Sequence, residues 1–379
     1  MRAVRHVMFL GSALALAACG GEMDMNAEAE LGQTGAPLMQ AAPGTAIAGQ
    51  YIVVLKEGAA PQAFAAAAGV SARYTYSIIN GFAASLNPAQ LSALRNNPQV
   101  EYIEEDAVVT ADATQSSATW GIDRIDQRSL PLSGTYNYTA TAGTVRAYII
   151  DTGLQASHSQ FGTRASNVYD AFGGNGEDCN GHGTHVGGTV GATTYGVAKA
   201  VMLRGVKVLD CAGSGSNSGV IAGMDWVRTN RINPAIANMS LGGGYSSTVN
   251  TSANNLATSG VFLAVAAGNN GADACNYSPA SATYATTTGS TTSSDGRSSF
   301  SNYGTCVDIY APGSSITSTW INSGTNTISG TSMASPHVAG VGALYKATYG
   351  DAATSTIDSW VKTNATALSF GKLLYKGAL

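Results

Sequence analysis

Asp151, His182 and Ser332 are three side chains of this 379-residue chain that together could activate an oxygen nucleophile. A serine hydroxyl attacks a carbonyl only if its proton is taken as the bond forms, so a neutral imidazole must stand beside it. The imidazole in turn needs a buried carboxylate to hold its tautomer and stabilise its charge. Ser332 stands in Gly330-Thr331-Ser332-Met333-Ala334, followed by Ser335, Pro336, His337, Val338, Ala339 and Gly340. That run reads as the first turn of a buried helix, where unpaired N–H groups and the helix dipole favour an anion. It does not match the G-x-S-x-G elbow. His182 lies between two glycines in Asn180-Gly181-His182-Gly183-Thr184-His185-Val186, whereas His158, His185 and His337 read as packing or capping residues. Asn269, in Ala266-Ala267-Gly268-Asn269-Asn270, could donate its amide to an oxyanion together with the N–H of Ser332.

These groups come from distant parts of the chain, so a rigid scaffold must collect them. The runs Val145 to Ile150, Val201 to Leu209, Ile236 to Met239 and Val261 to Ala266 are apolar on both faces and alternate with helical patterns. That pattern predicts an α/β fold, a mainly parallel sheet with helices on both faces. Functional groups collect at the carboxyl ends of such strands, which is where Asp151 and Asn269 fall. Only 11% of residues are charged, the net charge is -4 and there is no basic run, so nucleic acid is not an expected partner. After Cys19, the cysteines Cys179, Cys211, Cys275 and Cys306 are compatible with two disulfides, in any of three pairings. No C-x-x-C pair points to a metal instead.

Residues 1–19 combine a basic start (Arg2, Arg5, His6) with an apolar stretch from Val7 to Leu16, which reads as an export signal. Its end, Leu16-Ala17-Ala18-Cys19-Gly20, resembles a bacterial lipobox, which implies lipid on Cys19. Residues 20–48 lack any period and read as a flexible tether. Residues 49–112 read as a small βαββαβ unit of ferredoxin-like α+β type. Its strands are Tyr51 to Leu55, Tyr74 to Ile79, Phe82 to Leu86 and Val100 to Ile103, and its helices are Gln62 to Ala68 and Pro88 to Asn96. A larger domain, residues 113–379, follows a polar link.

The motifs Asp151-Thr152-Gly153, Gly181-His182-Gly183-Thr184-His185-Val186, Ala267-Gly268-Asn269 and Gly330-Thr331-Ser332-Met333-Ala334 resemble those of subtilisin-like serine proteases, in the proteinase K group and most like its aqualysin-type members. The order Asp, His, Ser is also that of subtilisin. Residues 49–112 resemble the inhibitory propeptide of the same proteases, through Tyr51-Ile52-Val53-Val54, Asn80-Gly81-Phe82-Ala83 and Glu101-Tyr102-Ile103-Glu104-Glu105-Asp106. The resemblance implies an exported, monomeric endopeptidase that processes itself near Asp112 and Ala113, with its own propeptide as intramolecular inhibitor and with proteins or peptides as substrates. It implies that the substrate strand lies between Gly213, Ser214, Gly215 and Ser216 on one side and Ser240, Leu241, Gly242 and Gly243 on the other. Leu241, Gly242, Ala266, Ala267 and Gly268 would wall the first specificity pocket, small and uncharged, favouring an apolar or aromatic residue before the cut. Asn217 stands where the family often has an aromatic residue at the fourth subsite. The resemblance further implies disulfides Cys179–Cys211 and Cys275–Cys306. It implies no cofactor for catalysis, and a structural calcium held by Asp308 with carbonyls of Thr283 and Ala285. A binding protein that has lost turnover and a serine esterase are the alternatives of other classes.

Overall fold

Strand Arg146–Asp151 sits inside a nine-stranded sheet because its side chains find an apolar layer on each face. Ala147 and Ile149 enter one layer with Val186, Val190, Val338 and Leu344. Tyr148 and Ile150 enter the other with Val220, Met224, Val249 and Leu256. Helices His182–Gly191, Thr331–Tyr349 and Thr354–Asn364 supply the first layer; Asn217–Asn230 and Ser247–Thr258 supply the second. Each fully buried aliphatic side chain in these layers contributes about 1.5–3 kcal/mol.

The computed structural model describes residues 35–41, 46–108 and 113–379, in two compact units, residues 35–39 with 51–104 and residues 40–41, 46–50 and 105–108 with 113–379. In the larger unit the strands run in the order Thr366–Leu368, Gly371–Leu373, Ile309–Pro312, Thr286–Thr291, Phe262–Ala266, Ala235–Met239, Arg146–Asp151, Met202–Lys207, Ala165–Asp170. All neighbours pair in parallel except the first two. The expected α/β class is what forms. Strand Thr286–Thr291 escapes the sequence reading because four of its six residues are threonine, yet it is buried throughout. The Thr287 hydroxyl donates to the Ala280 carbonyl and that of Thr286 to Asp358, which makes the burial tolerable.

The smaller unit carries a sheet in the order Leu38–Met39, Val100–Ala107, Ala46–Leu55, Gly81–Ser85, Ala72–Tyr76, with helices Pro61–Ala67 and Pro88–Arg95. Its last four strands have the ferredoxin-like arrangement, over a core of Val53, Leu55, Phe82, Leu94 and Ile103. The tether reading of residues 20–48 needs correction at its end. Leu38 pairs in parallel with Ile103 and packs on this core, and the strand that begins at Ala46 precedes the expected start at Tyr51. Two residues are too short a run to show a period. The export signal and Cys19 lie outside the described residues, as does Asp112. Among the described residues no helix is long and apolar enough to cross a membrane.

Candidate active site

Asp151 is the last residue of its strand and fully buried. Its Oδ1 stands 2.7 Å from His182 Nδ1 and also accepts the Thr152 N–H at 2.7 Å. A carboxylate oxygen can only accept, so Nδ1 carries the proton and Nε2 keeps its lone pair. His182 opens helix His182–Gly191, with 24% of its side chain exposed, so one edge of the ring reaches solvent. The helix end presses so closely on the Asp151 turn that a Cβ on Gly183 would lie 2.2 Å from the Gly153 carbonyl oxygen. Burial alone would lower the imidazole pKa. The charge and hydrogen bond of Asp151 and the charge of a second carboxylate, Asp178, outweigh it, and the net shift is upward.

Ser332 is half-buried at the second position of helix Thr331–Tyr349, where its N–H has no intrahelical acceptor. Its hydroxyl donates to the Ser240 carbonyl at 3.1 Å, while the Ser240 hydroxyl donates to the Ser332 carbonyl at 2.7 Å. Asn238 Nδ2 holds the Ser240 hydroxyl at 2.9 Å, and Asn238 Oδ1 accepts the Ser335 hydroxyl at 2.7 Å. Ser332 is thereby indexed to the end of strand Ala235–Met239. Asn269 Oδ1 accepts both the N–H and the hydroxyl of Thr331, at 2.8 and 2.9 Å. Because a backbone N–H can only donate, the oxygen of the amide must face Thr331, which leaves its NH2 for another acceptor. Behind this turn Gly268 has φ +102°, and a Cβ there would lie 2.4 Å from Asn302 Nδ2. Asn302 is fully buried, donates to the Ala267 carbonyl and accepts the N–H groups of Asn270 and Ala272.

A cavity of about 530 Å³ is lined by His182, Gly213, Ser214, Gly215, Ser216, Asn217, Ser240, Leu241, Gly242 and Gly243. A second of about 370 Å³ shares Leu241, Gly242 and Gly243 and adds Ala266, Ala267, Gly268, Asn269 and Ser332. The two segments expected to flank a substrate strand line the first cavity, and the expected pocket walls line the second. Apart from His182, no charged side chain lines either cavity. Tyr277, Ser278 and Ala280 also line the second cavity and have no signature in the sequence, since they precede no recognisable motif. Asn302, Asn238 and Asp178 also escape a sequence reading. Each is a single buried polar residue with at least one partner remote in the chain: Thr152 for Asp178, Ser335 for Asn238 and Ala267 for Asn302.

Disulfides join Cys179 to Cys211 and Cys275 to Cys306, with Cα atoms 5.0 and 5.3 Å apart. The first ties the loop before His182 to the cleft segment that starts at Gly213. Thr283 and Ala285 lie by a cavity of about 280 Å³ together with Asp358, but Asp308 does not border it. Asp308 Oδ2 accepts the Thr287 N–H at 2.8 Å, and its Oδ1 pairs with Lys362 Nζ at 3.1 Å, an ammonium that also pairs with Asp358 at 2.5 Å. Among the described residues no group of three or more His, Cys, Asp or Glu side chains could hold a metal. The one carboxylate expected to hold calcium is already engaged by a tethered ammonium, so these residues do not fit a dication in this arrangement.

Two family models match the chain: "Subtilase family" over residues 145–376 and "Peptidase inhibitor I9" over residues 65–112. The chain is 52% identical over 355 residues to an extracellular serine proteinase of Thermus sp. (strain Rt41A), covering 86% of each. It is 50% identical over 340 residues to Proteinase R of Parengyodontium album, covering 87% of each. A crystal structure of a cold adapted subtilisin-like serine proteinase matches 70% of this chain and 99% of its own, at 50% identity and a TM-score of 0.68. With a family model spanning more than half of the chain and relatives at this identity, the protein belongs to the subtilase family of serine proteases.

Proposed function

We propose that Asp151, His182, Ser332 and Asn269 perform peptide-bond hydrolysis in this subtilase. The observation that carries the reading is the 2.7 Å pair of Asp151 and His182, with His182 on one cavity and Ser332 on a second that shares Leu241, Gly242 and Gly243 with it. Ser332 Oγ turns from the Ser240 carbonyl to His182 Nε2, loses its proton there and bonds to the substrate carbonyl carbon. The oxyanion is met by the Ser332 N–H and the Asn269 NH2, two donors oriented before the reaction begins. His182 then gives its proton to the leaving amine as the C–N bond breaks. A water attacks the acyl-enzyme by the same route, and Asp151 stays ionised throughout. Subtilases need no cofactor for this chemistry.

The open glycine-rich segments support broad recognition through the substrate main chain, and the uncharged walls support an apolar or aromatic residue before the cut. The protein is made as a precursor with an inhibitory propeptide domain. We place that domain at residues 49–112 and the peptidase at 113–379. Support comes from Ala113–Ser116, which already pairs with Thr135–Tyr138 of the larger unit, so the chain just after the proposed cut belongs to that unit. The relatives include extracellular proteinases, and export is the location proposed here, with the mature enzyme acting as a monomer. Lipid on Cys19 would stay with the removed segment and leave the mature enzyme free.

The test compares the signal-less precursor with its Ser332→Ala variant by intact mass over time. Wild type alone is expected to shed residues up to about Asp112, digest casein and bind a serine-reactive phosphonate. A folded wild type, cut artificially near Ala113, that ignores the phosphonate would overturn the reading.

A further inference from the structure

Asp178 lies just before the disulfide cysteine Cys179 and is 5% exposed. Its carboxylate accepts five hydrogen bonds. Oδ1 takes the Thr152 hydroxyl at 2.9 Å, the Asn180 N–H at 3.0 Å and the Gly181 N–H at 2.9 Å. Oδ2 takes the N–H and hydroxyl of Thr184, at 2.9 and 2.6 Å. Among the described residues no cation lies within ion-pair distance, so neutral donors solvate a full negative charge. The partners fall into two groups. Thr152 follows Asp151, while Gly181 and Thr184 bracket His182.

These bonds also account for the start of helix His182–Gly191, whose cap residue Gly181 has no side chain to offer. The His182 N–H goes to Asn180 Oδ1, that of Gly183 to the Thr152 hydroxyl, and that of Thr184 to Asp178. Every first-turn donor is thus satisfied through Asp178 or a residue it holds. We propose that Asp178 is a positioning residue of the reaction, tying the strand end that carries Asp151 to the helix end that carries His182 and adding a second negative charge beside the imidazolium that forms in turnover. The proposal rests on the triad reading above.

The charged and titratable groups around His182 are few. Asp151 faces Nδ1, Asp178 lies beneath the helix start, and His185 lies one turn on, with its ring Nε2 at the Ile316 and Asn326 carbonyls. Lys207, at the end of the adjacent strand, is buried and donates to the Thr152 carbonyl at 2.6 Å. The field of Asp178 acts with that of Asp151 to raise the His182 pKa against the effect of burial.

The experiment measures kcat and KM against pH on a chromogenic peptide for the mature wild type, Asp178→Asn and Asp178→Glu. Asp178→Asn removes the charge, so the acid limb of kcat/KM moves to lower pH by about 0.5–1 unit. Its plateau falls roughly 10-fold or more as the two elements loosen. Asp178→Glu keeps the charge, and its limb stays at the wild-type position whatever its plateau. An unmoved limb in Asp178→Asn overturns the electrostatic role. Thr152→Val keeps the charge but cuts the tie to the strand, so kcat falls at constant KM with an unmoved limb; wild-type kcat there overturns the positioning role and remains decisive if Asp178→Asn does not mature. Phosphonate labelling of wild type separates failure of this proposal from failure of the triad reading.

Discussion

Ser240 and Ser332 hold each other by two hydrogen bonds, each hydroxyl donating to the other's carbonyl oxygen. Attack breaks only the bond from the Ser332 hydroxyl. The bond from Ser240 to the Ser332 carbonyl persists and keeps the first turn of the helix in place as the nucleophile swings. Ser240→Ala leaves that carbonyl and Asn238 Nδ2 short of a partner in a buried place, so stability falls by about 1–3 kcal/mol. Urea unfolding in a Ser332→Ala background, which removes autolysis, measures it; a loss below about 0.5 kcal/mol contradicts the role.

Three histidines give the protein opposing pH dependences. His182 has a raised pKa, so its contribution to stability is complete below its unfolded value near 6.5 and is lost as pH rises through the folded value. Activity has the opposite need, a neutral ring, so kcat/KM climbs through a pKa above 6.5. Burial lowers His185 and His337 to about 4, His337 with its Nδ1 at the Met333 carbonyl. A depressed imidazole stabilises the fold above pH 6.5, and that stability is lost as pH falls from 6.5 towards 4, roughly 3 kcal/mol for each ring. Denaturant unfolding of the Ser332→Ala protein from pH 8 to 4 reads the sum, and flat stability across the acid range rules out the buried neutral rings.

Asn269→Ala deletes one oxyanion donor and the acceptor that orients Thr331. The kcat is expected to drop about 10²–10³-fold with KM nearly unchanged, the size known for the corresponding asparagine of subtilisin. Steady-state kinetics on a peptide amide decide it. An equal rise in KM with constant kcat would instead make Asn269 a substrate-binding group.

Cys179→Ser with Cys211→Ser opens a loop with a sequence separation of 32. The chain-entropy account gives a loss of roughly 3–4 kcal/mol. Because Cys211 leads into Gly213, activity is expected to become sensitive to heat at lower temperatures than global unfolding. Parallel measurement of residual activity and of circular dichroism on heating separates the two events.

Lys362 stands between Asp308 and Asp358 as a built-in cation. Chelator is therefore expected to change the midpoint of thermal unfolding little through this place, whereas Lys362→Met leaves two carboxylates facing each other and makes the midpoint respond to calcium. The difference between the two proteins, each with calcium and with chelator, is the measured quantity. Identical responses refute the substitution of calcium by Lys362.

The sequence determined the chemistry of this protein because subtilase chemistry depends on residue types in short, tightly constrained turns. Asp151 must end a strand before a glycine, His182 must sit where glycines allow close approach, and Ser332 must enter a helix. Each constraint is local and leaves a mark in a few adjacent residues. The apolar strands were legible for the same reason, since a strand buried on both faces needs side chains such as Ile149 and Ile150 to fill both layers. Only the tertiary structure decided how buried polar groups are satisfied. Asp178, Asn238 and Asn302 look like ordinary loop or strand residues until the fold brings Thr152, Ser335 and Ala267 to them. The threonine strand Thr286–Thr291 was hidden likewise, its burial resting on acceptors such as Ala280 and Asp358 that only folding supplies. So too with Asp308, whose pairing with Lys362 depends on where helix Thr354–Asn364 packs. A hydrogen bond or ion pair between remote residues leaves no period and no motif, because either partner alone is compatible with solvent exposure.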